Sequence, residues 1–132
     1  MSQENVEIVR VAYDAWNRGD MDAMLATLHP DVETVTTGVF PGLDRVYSGH
    51  DGFRKFWRDF RGAWESLSIS VHELRDCGER VVVLFTFKAL GRDGLEVRRQ
   101  AASVVTLEGG MTVRQENHGD WMTALEAVGL SE

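Results

Sequence analysis

The sequence predicts an α+β protein: three N-terminal helices, then a meander of antiparallel strands and a short C-terminal helix. Three observations carry this. Apolar residues recur at helical spacing through the first half, and from Leu67 onward the period falls to two. Turn signals at Asp76-Cys77-Gly78, Arg92-Asp93-Gly94 and Glu108-Gly109-Gly110 then cut the second half into hairpin-linked runs. At 132 residues the sequence fits one domain over 1–132. A chain this size buries roughly two-thirds of its unfolded surface, enough for a core without staples.

Helix one is expected from Ser2, a weak cap, to Arg18, with Val6, Val9, Tyr13 and Trp16 on one face. Gly19 ends it by tolerating a left-handed backbone, and Asp20 caps helix two. There Met21, Met24, Leu25 and Leu28 form a buried stripe until Pro30 forbids continuation. Asp31 to Thr37, rich in Val and Thr, reads as a strand. Between Gly38 and Gly49 lies a loop with Phe40-Pro41-Gly42 and Tyr47, long enough to rim a site. Ser48-Gly49-His50-Asp51 matches a capping box with Asp in place of Glu. The helix after it sets Phe53, Phe56, Trp57, Phe60 and Trp64 on one side.

In the second half Leu67, Ile69 and Val71 alternate with Ser68, Ser70 and His72 until the phase slips near Leu74, as at a bulge. Further strands are expected near 79–90, 95–107 and 111–119. The run Val81 to Phe85 is apolar on both faces, so helices should cover one side and something else, most simply a second subunit, the other. Asp120 is placed to cap a last helix, Trp121 to Val128, which Gly129 ends with Leu130 folding back.

Composition excludes several classes of function. With 21 acidic against 14 basic side chains the formal charge is −7, which repels phosphate backbones and argues against nucleic acid as a partner. Arg54, Arg58 and Arg61 recur at helical spacing as a solvated face rather than an anion site. Cys77, the one cysteine, rules out an intramolecular disulfide and a Cys-based structural zinc site. His29, His50, His72 and His118 are scattered without ligand spacing, and no phosphate loop, dinucleotide fingerprint or nucleophile elbow appears, so no cofactor is expected. Glu4 and Glu7 stand where a signal peptide would be basic and then apolar, and Val81 to Phe85 is too short to span a bilayer. No membrane association and a cytoplasmic location are expected.

The order of parts, with Asn17-Arg18-Gly19-Asp20, Leu28-His29-Pro30-Asp31-Val32, Tyr47-Ser48-Gly49 and Ala124-Leu125-Glu126-Ala127-Val128-Gly129-Leu130, resembles the SnoaL-like branch of the nuclear transport factor 2 superfamily along essentially the whole chain. The resemblance implies a curved antiparallel sheet wrapped around three helices as a cone. It further implies a pocket between helices and sheet, and homodimers through the outer sheet face. Because this cone serves isomerases, cyclases, hydrolases, dehydratases and binding modules, function must be argued from the site.

Ketosteroid isomerase-like members need a carboxylate base, a tyrosine and a protonated carboxylic acid. Aligned through Gly19-Asp20, this chain has Ala12 at the tyrosine, Thr36 at the base and Ser103 at the acid. Tyr13 stands about 100° round the helix and would need a register shift to substitute. A limonene epoxide hydrolase-like reaction finds only the arginine, in Arg99-Gln100-Ala101.

Two parities of the final strand remain open. With Val113, Gln115, Asn117 and Gly119 inward, the parity the resemblance favours, Gln115 and Asn117 join Ser103 and Arg99 as ligand-orienting groups. With the other parity, or a bulge near Gly119, His118 and Asp120 approach the pocket as an acid/base couple; otherwise Asp120 is a helix cap and His118 lies outside. Tyr13, Trp16, Thr36, Trp57 and Phe60 complete the candidate ligand-binding set, Trp57 standing where the resemblance implies a pocket-facing aromatic. The function expected is binding of a small apolar or aromatic molecule, with cofactor-free isomerisation or polyketide cyclase-type chemistry as its catalytic form. The alternatives are a non-catalytic carrier or sensor and a dimeric protein-interaction module.

Overall fold

Helical spacing and caps set the first half of the chain. The computed structural model describes residues 2–36 and 42–129. Helix α1 (Ser2–Arg18) stops at Gly19, whose φ is 72°. Asp20 caps α2 (Met21–Ala26) by accepting from the Ala23 N–H at 3.0 Å. That helix is shorter than its apolar stripe suggests. Leu28 opens strand β1 (Leu28–Val35) instead of closing a helix, because the Thr27 carbonyl accepts from the Thr112 N–H at 2.9 Å and Leu28 pairs with Thr112. Tertiary pairing therefore ends the helix before Pro30 can.

Strand β2 (Val46–Ser48) falls inside the expected loop and pairs antiparallel with β1. Helix α3 (Gly49–Arg61) follows at once, but the expected capping box does not form. The Ser48 side chain makes no capping bond, and Asp51 pairs with Arg54 at 2.9 Å. Glycine is needed at this corner: Gly49 has φ of 73° and a Cβ there would lie 3.2 Å from the Pro30 carbonyl oxygen. At Gly52 a Cβ would come within 2.9 Å of the Tyr47 backbone. Phe53, Phe56 and Phe60 are buried as the stripe predicts, while Trp64 belongs to the next strand and packs on Phe87 at 5.6 Å.

The meander comprises β3 (Trp64–Cys77), β4 (Arg80–Gly91), β5 (Glu96–Glu108) and β6 (Met111–His118), and α4 (Trp121–Ala127) follows. A register shift between Val71 and Glu73 matches the phase slip in the sequence. Strand order is β2-β1-β6-β5-β4-β3 in a curved, open sheet. The sheet departs from the wholly antiparallel expectation at one seam, where β6 runs parallel to β1 with Thr34 beside Gln115.

Strand β4 buries both faces, against two different partners. Val81, Val83, Phe85 and Phe87 join the large core under the N-terminal helices. Val82 and Leu84 pack with Ala102, Val104, Ala124 and Leu125, so α4 of the same chain covers the side for which a second subunit is the simplest expectation. Asp120 caps α4 through the Thr123 N–H at 2.7 Å, and Trp121 Nε1 donates to the Phe85 carbonyl at 3.3 Å. Thr37 to Pro41 and the expected fold-back of Leu130 lie outside the described residues, as does the side chain of Ser2. Among the described residues no helix is long and apolar enough to cross a membrane.

Candidate functional site

Between the helices and the concave face of the sheet lies a cavity of about 70 Å³. At one probe sphere per water this is room for about five waters, or on the order of 150 Å³ of liquid, the bulk of a two-ring molecule. Most of the wall is apolar. Helix α1 contributes Ala12, Tyr13 and Trp16, and α3 contributes Phe53, Phe56 and Phe60. Met24 and Leu43 close one side, while Ile69, Phe85, Phe87 and Ala101 come from the sheet. Ala101 pairs with Phe85 across β5 and β4, and such small residues among large rings leave the gap unfilled.

The rings hold one another. Phe56 and Phe60 stack at 5.7 Å, and Trp16 meets each of them at 6.0 Å. Trp57 lies behind Trp16, at 5.0 Å and edge-on, and is not among the wall residues. The expected place for Trp57 is taken by Phe53, Phe56 and Phe60, because the turn of α3 carries position 57 towards α1. Arg61 covers both tryptophans, 5.2 Å from the Trp16 ring and 4.9 Å from that of Trp57, and donates to the Trp16 carbonyl at 2.9 Å. Its partial burial pulls the guanidinium pKa below the ordinary value.

Near the mouth, Leu43 is held by polar groups on its C-terminal side. The Asp44 N–H donates to Tyr47 Oη at 2.9 Å, and that hydroxyl donates to Asp59 at 3.1 Å. Lys55 bridges Asp44 and Asp59 at 2.7 and 3.3 Å, and the hydrogen bond it donates to Asp44 raises the Lys55 pKa. Thr36 Oγ1 donates to the Asp44 carbonyl at 2.8 Å from within the wall.

Polar wall groups gather on β1, β5 and β6. Gln115 and Asn117 both reach the cavity, so the inward parity is the first of the two alternatives. Gln115 Nε2 donates to Thr34 Oγ1 at 3.3 Å. Asn117 pairs in register with Ser103, which is completely buried and stands behind Tyr13 rather than in the wall. Tyr13 Oη and Ser103 Oγ share a hydrogen bond of 2.5 Å. The phenol thus does reach the position of the expected acid. Its length offsets the 100° rotation that separates Tyr13 from Ala12, and both residues line the cavity. Burial pushes the Tyr13 pKa up to about 12, against a smaller lowering by Ser103.

His118 borders the cavity at the end of β6, but it pairs with Ala102 of the outer layer, so its ring shares the face of Glu116; among the described residues its Nε2 is buried without a hydrogen bond, 3.6 Å from Glu116 Oε1. Glu116 is in turn held by Arg114, which also bridges to Glu33 at 2.8 Å. The carboxylate beside His118 is therefore Glu116. Asp120 is exposed and spends its carboxylate on the Thr123 backbone, whose N–H holds its pKa below the usual carboxylate range. Arg99 shares the face of β5 with Ala101 but is exposed beyond the cavity. Among the described residues no cluster of His, Cys, Asp and Glu could hold a metal ion.

Sequence reasoning picked out Tyr13, Trp16, Thr36, Phe60, Gln115, Asn117 and His118 as candidates, and the fold brings them to the cavity wall. It missed Phe85 and Phe87 as wall residues, although their alternation with Leu84 and Thr86 in β4 is the signal that finds them.

The geometry agrees with what the chain is similar to. A family model described as a SnoaL-like domain matches residues 9–115. A nuclear transport factor 2-like protein of unknown function from Burkholderia pseudomallei K96243 superposes with a TM-score of 0.83 at 28% identity, covering 96% of this chain and 98% of its own. TerC, co-crystallised with polyporic acid, gives 0.81 at 25% identity over 95% and 98%. A candidate SnoaL-like polyketide cyclase from Jannaschia sp. CCS1 gives 0.75 at 18% over 87% and 84%, a likeness of fold alone. Among curated proteins no relative matches the chain.

Proposed function

The chain belongs to the SnoaL-like family, and from that premise we propose that it binds a small, flat, apolar or aromatic molecule with one polar end inside the cone. The observation that carries this is the cavity itself. Aromatic side chains cover most of its wall, while Tyr13, Thr36, Gln115 and Asn117 gather on one side, the pattern of a site that seats a ring system and orients it by a few polar contacts. The co-crystallisation of TerC, a structural neighbour at 25% identity, with polyporic acid supports an oxygen-bearing ring compound as the class.

In its catalytic form the site performs a cofactor-free isomerisation or polyketide cyclase-type ring closure with His118 as the acid/base group, which requires its ring to turn from the face it shares with Glu116 towards the cavity it borders. Tyr13 and His118 are the titratable groups among the described wall residues, and a phenol with a pKa of about 12 is no base at neutral pH. A specific observation favours a second reading, a carrier or sensor: no described wall residue is a carboxylate. We place the protein in the cytoplasm and read it as a homodimer through the outer sheet face. Beyond α4 that face exposes Ser68, Ser70, Lys88, Arg98 and Gln100, so such a dimer is polar there. A monomer by sedimentation at micromolar concentration would remove the dimer.

Thermal denaturation against fused-ring and aryl-substituted hydroxyquinones, polyporic acid among the latter, tests the binding. A ligand at a hundred times its Kd stabilises by about 2.7 kcal/mol, well within reach of a melting experiment. No shift and no quenching of tryptophan fluorescence across that panel would overturn the reading. For any ligand found to be turned over, His118→Ala should abolish turnover and retain binding; unchanged turnover would remove His118 from the chemistry, while ligands that bind but are never turned over would leave the carrier.

A further inference from the structure

We propose that Trp16 and Arg61 give the cavity a second polar contact, on its helical side, and that this contact favours a ring ligand whose hydroxyl is ionised, of the phenolate class. This rests on the ligand-binding reading above and adds a charge state to its ligand class.

Two independent observations meet at Trp16, a wall residue. The first is a donor without an acceptor. Trp16 Nε1 is buried and, among the described residues, has no hydrogen-bond partner. Phe56 and Phe60 lie 6.0 Å from the indole and Trp57 lies 5.0 Å from it, rings that offer the N–H no oxygen. An N–H enclosed in this way costs free energy, which a ligand oxygen seated against Trp16 would recover.

The second is a cation without a counter-ion. Arg61 stands 5.2 Å from the Trp16 ring and 4.9 Å from that of Trp57, and its Nη1 donates to the Trp16 carbonyl. Burial lowers its pKa, and among the described residues no carboxylate pairs with it. Other cations around the cone are neutralised: Lys55 at the mouth has Asp44 and Asp59, and Arg114 on β6 has Glu33 and Glu116. In a chain with a formal charge of −7, an unpaired and partly buried guanidinium is not a consequence of composition.

Both observations call for negative charge at the same ring. A cation over an indole offsets the negative potential of its π-face, so Trp16 presents the cavity with a positive field and an N–H. Nothing in the described wall opposes that field. Tyr13, Thr36, Gln115 and Asn117 are neutral, and no described wall residue is a carboxylate. A ligand ring stacked on Trp16 would lie roughly 9 Å from Arg61. At an effective dielectric of about 20, and allowing for partial exposure, a unit charge at that distance favours the ionised ligand by on the order of tenfold. That is about one unit in the pKa of the bound hydroxyl.

The test uses 7-hydroxycoumarin, a two-ring phenol that ionises near neutral pH with a change in absorbance, and coumarin, which lacks the hydroxyl. Each is titrated against the whole protein on both sides of the phenol's pKa. The wild type should bind the anion at least as tightly as the neutral form. Arg61→Gln, which removes the charge but keeps a donor for the Trp16 carbonyl, should raise the pKa of the bound phenol by about one unit. Arg61→Lys, which keeps the charge, should not. Trp16→Phe should lower the anion's affinity relative to that of coumarin by about 3- to 10-fold, the usual weight of one hydrogen bond. If Arg61 served only as a helix cap and packing partner, Arg61→Gln would weaken both probes alike and leave the bound pKa in place. That result would overturn the assignment while leaving the cavity a binding site. So would a wild type that binds the phenol only when protonated, which decides the matter even if the variants fail to fold. If neither probe binds at either pH, this assignment and the ligand-binding reading fall together.

Discussion

On β4, Val82 and Leu84 point to one side of the sheet and Val83 and Phe85 to the other, and the two sides are completed differently. Outside, the seven residues of α4 bring Ala124 and Leu125 onto Val82, Leu84, Ala102 and Val104, and all six are 0–3% exposed. Inside, two of the three helices carry large rings against a curved sheet, and the fit leaves about 70 Å³ unfilled. One short helix on small and branched side chains follows a sheet closely. Rigid rings on α1 and α3, set against Ala12 and Ala101, cannot fill every gap, and polar groups line part of the space that remains. The outer layer packs closely, and the inner one leaves a cavity.

Truncations should separate the layers most clearly. Leu84→Ala removes a side chain surrounded on all sides and is expected to cost about 2–5 kcal/mol. Met24→Ala opens onto the existing cavity and should cost no more than about 2 kcal/mol, since part of that side chain already lacks neighbours. Urea unfolding measures both, and equal costs would erase the distinction. Next in size is Gly52→Ala. Its new methyl meets the Tyr47 backbone at 2.9 Å, and about 1–3 kcal/mol of overpacking is expected at the corner that positions α3. A variant as stable as the parent would mean that the corner yields freely.

Two smaller effects sharpen the comparison through pH. The Tyr13 phenol has its pKa raised from 10.0 to about 12, so the neutral form is favoured by folding. That contribution is fully present below pH 10 and is lost as pH rises towards 12. Tyr47 shifts in the same direction through burial. Above pH 10 the wild type should therefore lose stability faster than Tyr13→Phe, and parallel melting curves would refute a buried phenol. Asp120 works in the opposite sense. Its lowered pKa gives stability present above the ordinary carboxylate range and lost as pH falls through the lowered folded value. Asp120→Ala should reduce the melting temperature at neutral pH, converge with the wild type in acid, and leave ligand affinity unchanged. A loss of affinity would bring Asp120 back into the site.

Legibility followed the range of the interactions involved. Gly19, the Asp20 and Asp120 caps, the Phe53-Phe56-Phe60 stripe and the three hairpin turns depend on neighbours within a few residues, and each stands where sequence spacing puts it. Strand β2 was missed because three residues pair only by virtue of β1 lying beside them. The α2 boundary moved because Thr112, far along the chain, takes the Thr27 carbonyl.

What the sequence by itself determined, then, is the order of elements, the switch from helical to alternating period and the apolar character of both faces of β4, all properties of local spacing. Tertiary structure alone decided that α4 covers the outer face of that strand, that β6 lies parallel to β1 with Gln115 and Asn117 inward, and that Tyr13 reaches Ser103 while Trp57 backs Trp16. The physical reason is register. A one-residue step turns a strand side chain to the opposite face, and only the pairing of distant strands fixes that step.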